Sequence, residues 1–349
     1  MLTKKQLDEL GEHLGRAQNP IFFYDNDADG FCSFVLLRKF LGRGKGVAVR
    51  SHPDIDIGYA RKARELNADY VFVLDRPFLG DAFVKEIEEM HLPLVWIDHH
   101  DVVSPHREHP AVLTFNPTLN KGKQKSEEPV TYLCYQLTQR AEDVWIALMG
   151  CIADHYLPDF ASSFAKNHSD LWGVRIRVPF DAYYGTEIGL LARALGYGLK
   201  DSVTHVVYLQ NFVVSCASPH DMLLELQGSS SFARKYREIK KKYDELLPRA
   251  KAHKGENLLF FQYGGALSIS SDLANELSYL YPKHVIAVAF TNGSYANLSL
   301  RGPRVREMLE RILGDFEGAR GGGHLDAVGA RINTCDLERF KLALQKQLS

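Results

Sequence analysis

The sequence predicts an α/β protein of two lobes, an N-terminal parallel-sheet domain and a smaller C-terminal α/β domain, joined by a helical connector. Three observations predict this. The first third alternates short apolar runs with segments of helical spacing, the signature of βαβ units. A mostly charged amphipathic stretch then interrupts the chain after "QGSSSF". Past residue 258 a second α/β pattern begins.

The first lobe is expected over residues 1–226, with a motif-bearing core at 20–155 and a helical part at 156–226. "PIFFYD" (20–25), "VAVRS" (47–51), "YVFVLD" (70–75) and "LPLVWID" (92–98) read as strands. Their near-continuous apolar character fits burial on both faces. "GFCSFVLLRKFL", "GYARKARELN" and "GDAFVKEIEEM" read as the intervening helices, and "VTYLCYQLTQRA" and "DVWIALMGCIAD" as two more. Residues 155–230 give helix-like pieces without a readable order. The connector is expected over 227–252, its apolar stripe carried by Phe232, Tyr236, Ile239, Tyr243 and Leu246. The second lobe, 253–349, reads as strand ("LLFFQYG"), helix ("SDLANELSYLY"), two strands ("HVIAVAFTN", "YANLSLRG") and helix ("VREMLERIL").

The 349 residues suffice for two cores, and 24% charged against 45% hydrophobic residues is an ordinary globular balance. A formal net charge of -1 gives no global attraction to nucleic acid, so any such binding must rest on a local basic surface. No run of about 18 apolar residues exists, so no membrane partner is expected. "MLTKKQLDELGEHLG" reads as a charged amphipathic helix, unlike a signal peptide. Cys32, Cys134, Cys151, Cys216 and Cys335 are scattered without CxxC spacing, which fits reduced thiols in a cytoplasmic protein.

The chemistry concentrates at strand ends. "YDNDADG" places Asp25, Asp27 and Asp29 directly after the first strand; Asp75 ends a later one; Asp98, His99 and His100 end the next. Ligands of open parallel sheets bind beyond the carboxyl ends of the strands. Asp154, ending an apolar helix, is a fourth contributor. Carboxylates crowded in this way either take up protons or are neutralised by a cation. Oxygen and imidazole donors without thiolate favour Mn²⁺ or Mg²⁺. The donors suffice for two ions about 4 Å apart, with Asp27 and Asp75 as bridging candidates. Any single Asp here reads equally well as a helix cap; the joint pattern does not. Near the other end, "RGGGHLDAVGARI" places Arg320 before three glycines and His324, with a helical run expected to follow. Together with Arg301 at a strand end, Arg320 and His324 form a candidate phosphate-binding face, a tight turn being the alternative.

With both ends in view the chain resembles the DHH phosphoesterase superfamily, in its RecJ-like or oligoribonuclease-like branch. "DNDADG", "VLD", "DHH" (98–100) and "GCIAD" resemble its four motifs, and "GGGH" (321–324) the signature of the DHH-associated C-terminal domain. The pyrophosphatase branch, which carries a His where this chain has Phe23, is set aside. The resemblance implies two lobes with the active site between them and phosphodiester hydrolysis dependent on two Mn²⁺ ions, with Mg²⁺ as the substitute. By position it implies Asp27, Asp29, Asp75, His99 and Asp154 as metal ligands, Asp25 as a supplementary acid and Asp98 as the acid orienting His99. His100 would stabilise the transferred phosphoryl group or protonate the leaving oxygen. Arg301, Gly322, Gly323 and His324 would grip substrate, with Arg320 beside them. Arg76, where relatives carry a small residue, would contact phosphate or narrow the site. The implied activity is exonucleolytic hydrolysis of short single-stranded RNA or DNA to mononucleotides, by a hydroxide held between the metals. A phosphodiesterase for cyclic or linear dinucleotides and a non-catalytic replication or translation partner are the alternatives. A homodimer, or a partner in replication, repair or RNA processing, stays open.

Overall fold

The computed structural model describes residues 1–51, 54–101, 104–120, 128–173 and 175–348. The chain divides into two units, Met1–Tyr236 and Arg237–Ser349. The first runs α1 (Lys4–Arg16), β1 (Pro20–Asp25), α2 (Ala28–Leu41), β2 (Lys45–Val49), β3 (Asp54–Ile55), α3 (Ile57–Glu65), β4 (Tyr70–Leu74), β5 (Phe78–Leu79), α4 (Asp81–Glu89), β6 (Leu94–Ile97), β7 (Val112–Phe115), α5 (Val130–Thr138) and α6 (Val144–Ala153). There follow α7 (Ala161–Asn167), α8 (Ser169–Trp172), α9 (Pro179–Gly185), α10 (Glu187–Gly198), α11 (Val203–Ser215) and α12 (Pro219–Gln227), in the stretch whose order the sequence does not reveal.

The sheet is parallel, in the order β2-β1-β4-β6-β7, and β3 pairs with β5 beside it. Burial explains the apolar strands. Phe22, Tyr24, Phe72, Leu74, Val95 and Ile97 join a core with α2, α5 and α6. The alternate residues Ile21, Phe23, Val71, Val73, Leu94 and Trp96 join another with α3 and α4. Both faces are thus covered, as parallel sheets require. The sequence reading misses β7: "VLTF" is short, and only tertiary pairing of Ile97 with Phe115 identifies it. The second strand lies at Lys45–Val49, so Arg50 and Ser51 are already past its end.

Helix α13 (Ser231–Lys251) carries the expected stripe, with Phe232, Ile239, Tyr243 and Leu246 buried, and the division between units falls within it. The second unit continues with β8 (Leu258–Gly264), α14 (Ser270–Leu280), β9 (Val285–Asn292), β10 (Tyr295–Arg301), α15 (Val305–Leu313), β11 (Arg320–His324), β12 (Ala327–Asn333) and α16 (Leu337–Leu348). Its sheet runs β11-β12-β10-β9-β8. Leu298, Leu300, Val328 and Ile332 pack on Leu309 of α15 and Phe340 of α16. One expectation is corrected here. No helix follows the glycines: "RGGGH" is an edge strand and "AVGARIN" its antiparallel partner. The reason is the period of two in that segment, with Val328, Ala330 and Ile332 buried and Gly329 exposed. No helix among the described residues is long and apolar enough to cross a membrane.

Candidate metal centre and anion face

Four parallel strands end together. Tyr24, Leu74, Ile97 and Phe115 occupy one rung of the sheet. The residues that follow them are Asp25, Asp75, Asp98 and Asn116. One edge thus receives three carboxylates and an amide, and the sequence reading misses the amide because it misses β7. Gly30 lets the first turn of α2 sit on the end of β1: a Cβ there would lie 2.6 Å from the Asp25 carbonyl oxygen. Asp27 caps this helix, its carboxylate accepting from the Gly30 N–H at 3.0 Å. Asp75 turns into the left-handed region (φ 59°), which is uncommon for non-glycine residues but which aspartate tolerates better than most.

Donor atoms of Asp25, Asp27 and Asp75 lie within 4.8 Å of one another. The same holds for Asp29, His99 and Asp154, and for Asp75, His99 and His100. Shared members make this one continuous cluster. His99 Nε2 lies 3.5 Å from Asp75 and 3.8 Å from Asp154. Asp29 is buried, and each of its oxygens already accepts a backbone N–H, from Val130 at 2.9 Å and Thr131 at 2.7 Å, so it also caps α5. Asp25 is held by Arg76.

Two sequence expectations change. Arg76 is buried, its guanidinium bonding Asp25 and the Ser51 carbonyl (2.9 Å), so it serves as a counter-charge to Asp25 while lining the open cavity beside it. Asp98 bonds His100 Nδ1 at 2.7 Å, while His99 Nε2 lies 3.5 Å from Asp75. The other oxygen of Asp98 accepts from Arg107 (2.7 Å) and Asn116 (3.2 Å), and both donors also reach the His100 carbonyl. Arg107, stacked 4.7 Å over Trp96, carries no motif in the sequence and is found only through this buried pair.

Electrostatics favour a cation. Lost hydration and then the charges of its neighbours, Asp29, Asp27 and Asp25, push the Asp75 carboxyl well above the usual carboxylate range. Asp27 is raised likewise by lost hydration and by Asp25 and Asp29, although it keeps access to solvent. Among the described residues its bonding partner is the Gly30 amide and no basic group. Asp154 is raised to about 6 by lost hydration, with His99 pulling downward and Asp29 upward. For Asp98, burial is outweighed by the hydrogen bond and charge of His100, with His99 and Arg107 adding to them, so its carboxyl is lowered. His100 is raised: the bond to Asp98 and the surrounding acids outweigh burial. Hard oxygen donors with one or two imidazoles, mutually repelling and undercompensated, fit Mn²⁺ or Mg²⁺.

A stability prediction follows. Asp27, Asp75 and Asp154 have folded-state pKa values above their unfolded values, so their contribution is present at low pH and lost as pH rises, for Asp154 through about 6. In EDTA the Tm should fall between pH 5 and 7, and Asp154→Asn should flatten that slope. Mn²⁺ should reverse it, because the ion binds the ionised form. A Tm in EDTA that rises over this window, unchanged by Asp154→Asn, would count against the cluster's being undercompensated.

The second unit presents its own polar face. Arg301 pairs with Ala327, and Ala327 with His324, so the two basic residues share one rung and one side of the sheet, roughly 9–10 Å apart. Arg320 and Gly322 lie on that side of β11, and Gly329 and Arg331 on that side of β12. Arg331, stacked 4.0 Å over Tyr295, is a member of this face that the sequence reading does not name. Arg301 is steadied by Asn275 at 2.6 Å. The glycines divide by role. A Cβ on Gly323 would meet the Ala327 carbonyl at 2.5 Å and its φ is +143°; one on Gly321 would meet the Gly329 carbonyl at 2.7 Å. A Cβ on Gly322 would meet nothing within 4 Å. Packing therefore accounts for two glycines and leaves Gly322 as the place where a ligand could approach backbone. Gly323→Ala should lower the Tm of the protein by several degrees, roughly the effect of 1–3 kcal/mol. Gly322→Ala should leave the Tm in place and raise KM. Equal Tm losses would remove the distinction.

Residues 257–349 match the DHHA1 domain family. No curated protein matches the chain. Among solved structures, RecJ from Thermus thermophilus in complex with Mn²⁺ superposes with a TM-score of 0.63 at 17% identity, covering 98% of this chain and 54% of RecJ. The chain thus spans about half the length of that protein, which has also been solved with Mg²⁺. The DHH domain of a member of the s1p family of ribosomal proteins gives a TM-score of 0.67 at 14% identity, covering 99% and 90%. The pGpG-specific phosphodiesterase PggH from Vibrio cholerae gives 0.50 at 12%, covering 95% and 98%. At these identities the likeness is one of fold. The parallel-sheet unit with its acid-bearing strand ends, followed by a segment that matches the DHHA1 domain family, thus has the fold shared by RecJ and the DHH domain of the s1p-family protein.

Proposed function

We propose that the protein is a metal-dependent phosphodiesterase that removes mononucleotides from the ends of short single-stranded nucleic acids, with Mn²⁺ as the preferred ion. One observation carries the reading: Asp27, Asp75 and Asp154 converge with His99 on one sheet edge, ionised only at the expense of strong mutual repulsion. Asp27, Asp29, Asp75, His99 and Asp154 would hold the metal, with Asp25 supplementary. Bound metal supplies charge to offset that on a phosphodiester and lowers the pKa of an attacking water. The protein's own groups then act as follows. Arg107 and Asn116 fix Asp98; Asp98 fixes His100 through Nδ1 and favours its cationic form. His100 is therefore the group to stabilise a phosphoryl oxygen, or to pass a proton from Nε2 to the leaving oxygen. In the C-terminal unit, Arg301, Arg320, Arg331, His324 and the Gly322 backbone would receive the phosphates of the strand end.

A second reading, hydrolysis of dinucleotides, draws support from the fold shared with the pGpG-specific phosphodiesterase PggH. A ladder of oligomers from dimers upward, labelled at either end and incubated with Mn²⁺, separates the two. Stepwise mononucleotide release from pentamers supports the exonuclease; turnover confined to dimers supports the second reading. No turnover of any phosphodiester, together with no Mn²⁺ retained, would leave the chain a non-catalytic protein of this fold.

A further inference from the structure

The chain just after Asp154 carries a cluster of rings. Helix α6 ends there in a tight turn: the Tyr156 N–H donates to the Cys151 carbonyl (2.9 Å) and the His155 N–H to the Ile152 carbonyl (3.2 Å). This is the Schellman arrangement, whose left-handed position is usually glycine. Here it is His155, at φ 58°. The residue is exposed. Its ring centroid lies 4.2 Å from that of Phe180 and 6.3 Å from that of Tyr183, edge-on to the latter at 89°. Phe180 stacks in turn with Tyr184 (5.9 Å, 11°), and Arg193 lies over Tyr183 and Tyr184 at 5.6 and 5.5 Å. Phe180, Tyr183 and Tyr184 all stand on the short helix α9, and each is half-buried.

Core packing accounts for part of this cluster, since Tyr183 rests on the main core. It does not account for an exposed imidazole in a backbone conformation that suits glycine better. Chain continuity sets that imidazole directly after Asp154, a member of the candidate metal centre. Cations stand in the same part of the unit. Arg175 and Arg177 are exposed and lead into α9, while Ile176 between them packs on the core. The Asp181 carboxylate fixes this entry by accepting from the Arg177 and Val178 N–H groups at 2.8 and 3.0 Å. Aromatic rings with guanidinium groups beside them are how proteins hold single strands without reading sequence: the rings take bases and the cations take phosphates. The same charges favour a polyanion over an apolar peptide as the occupant.

We propose that His155, backed by Phe180, is a stacking platform for one base of the bound strand, that of a nucleotide close to the scissile phosphate. The proposal rests on the phosphodiesterase reading above, and its test does not require turnover. Deoxyadenosine pentamers, intact or with a single abasic residue scanned along the strand, compete with a labelled pentamer for the whole protein in EDTA. An abasic residue at one position should weaken binding roughly tenfold, and at the others little. His155→Gly should bind the intact strand as weakly as the wild type binds that abasic strand. Its Tm should not fall, because glycine suits the left-handed turn. His155→Phe should restore the stack without the imidazole nitrogens. Arg177→Ala should weaken intact and abasic strands by the same factor, since both keep their phosphates. Intact and abasic strands that compete alike, at any affinity, or a loss spread evenly over all positions would overturn the proposal. So would a His155→Gly variant that binds like the wild type or melts lower, or a His155→Phe variant that binds like His155→Gly. Absence of hydrolysis with Mn²⁺ would instead defeat the catalytic reading and leave the abasic scan to decide on His155.

Discussion

Asp75→Asn is expected to abolish phosphodiester hydrolysis, lowering kcat by about a thousandfold or more, while the protein stays folded. The substitution removes a charge with almost no change of shape. Asparagine tolerates the left-handed backbone that residue 75 adopts, so the turn after β4 should survive. Asp75 repels Asp25, Asp27 and Asp29, and neutralising it relieves that repulsion, so the Tm in EDTA should stay level or rise. With Mn²⁺ added, the wild-type Tm should increase and the variant's should not. Asp27→Asn should behave alike, since asparagine still caps α2, and His99→Ala should share the loss of activity. Near wild-type turnover by Asp75→Asn in Mn²⁺ would remove this carboxylate from the chemistry.

The second large effect is on stability. Arg107→Met should destabilise the N-terminal unit by roughly 3–5 kcal/mol, the usual result of removing one partner of a buried ion pair. The side chains of Arg107 and Asp98 are 4% and 0% exposed, so solvent cannot take over the lost contact. The variant also loses the bond to the His100 carbonyl at 2.9 Å and the packing on Trp96. A Tm fall of about 6 °C or more should follow. Asp98→Asn in the same background should recover part of the loss, because it removes the carboxylate left without its guanidinium. If Arg107→Met and wild type melt together, the pair is not holding this edge of the sheet. If the double variant is additive, the two residues are not coupled.

Much of the molecule was legible in the residues alone. Apolar runs that remain apolar at every position, as in "YVFVL", specify strands buried on both faces, and such strands specify a parallel sheet covered by helices. Once the sheet is parallel, chain direction alone brings Asp25, Asp75 and Asp98 to one edge, because each directly follows its strand. The acids of the candidate metal centre could therefore be placed at one edge without coordinates. The alternation of Val328, Ala330 and Ile332 was equally present in the sequence, but a prior reading of glycine as a turn and helix signal obscured it. What tertiary structure alone decided concerns partners. Nothing local to "DRPF" shows that the Arg76 guanidinium turns inward to Asp25, and nothing local to "DHH" shows that Asp98 takes His100 over His99. Arg107 and Asn116 join the site because β7 adds to β6, a pairing between segments too short to declare themselves. Strand and helix propensities act over neighbouring residues and can be read from order. The pairing of a buried charge depends on which donor the fold brings within about 3 Å, and that distance exists only after the chain has closed on itself.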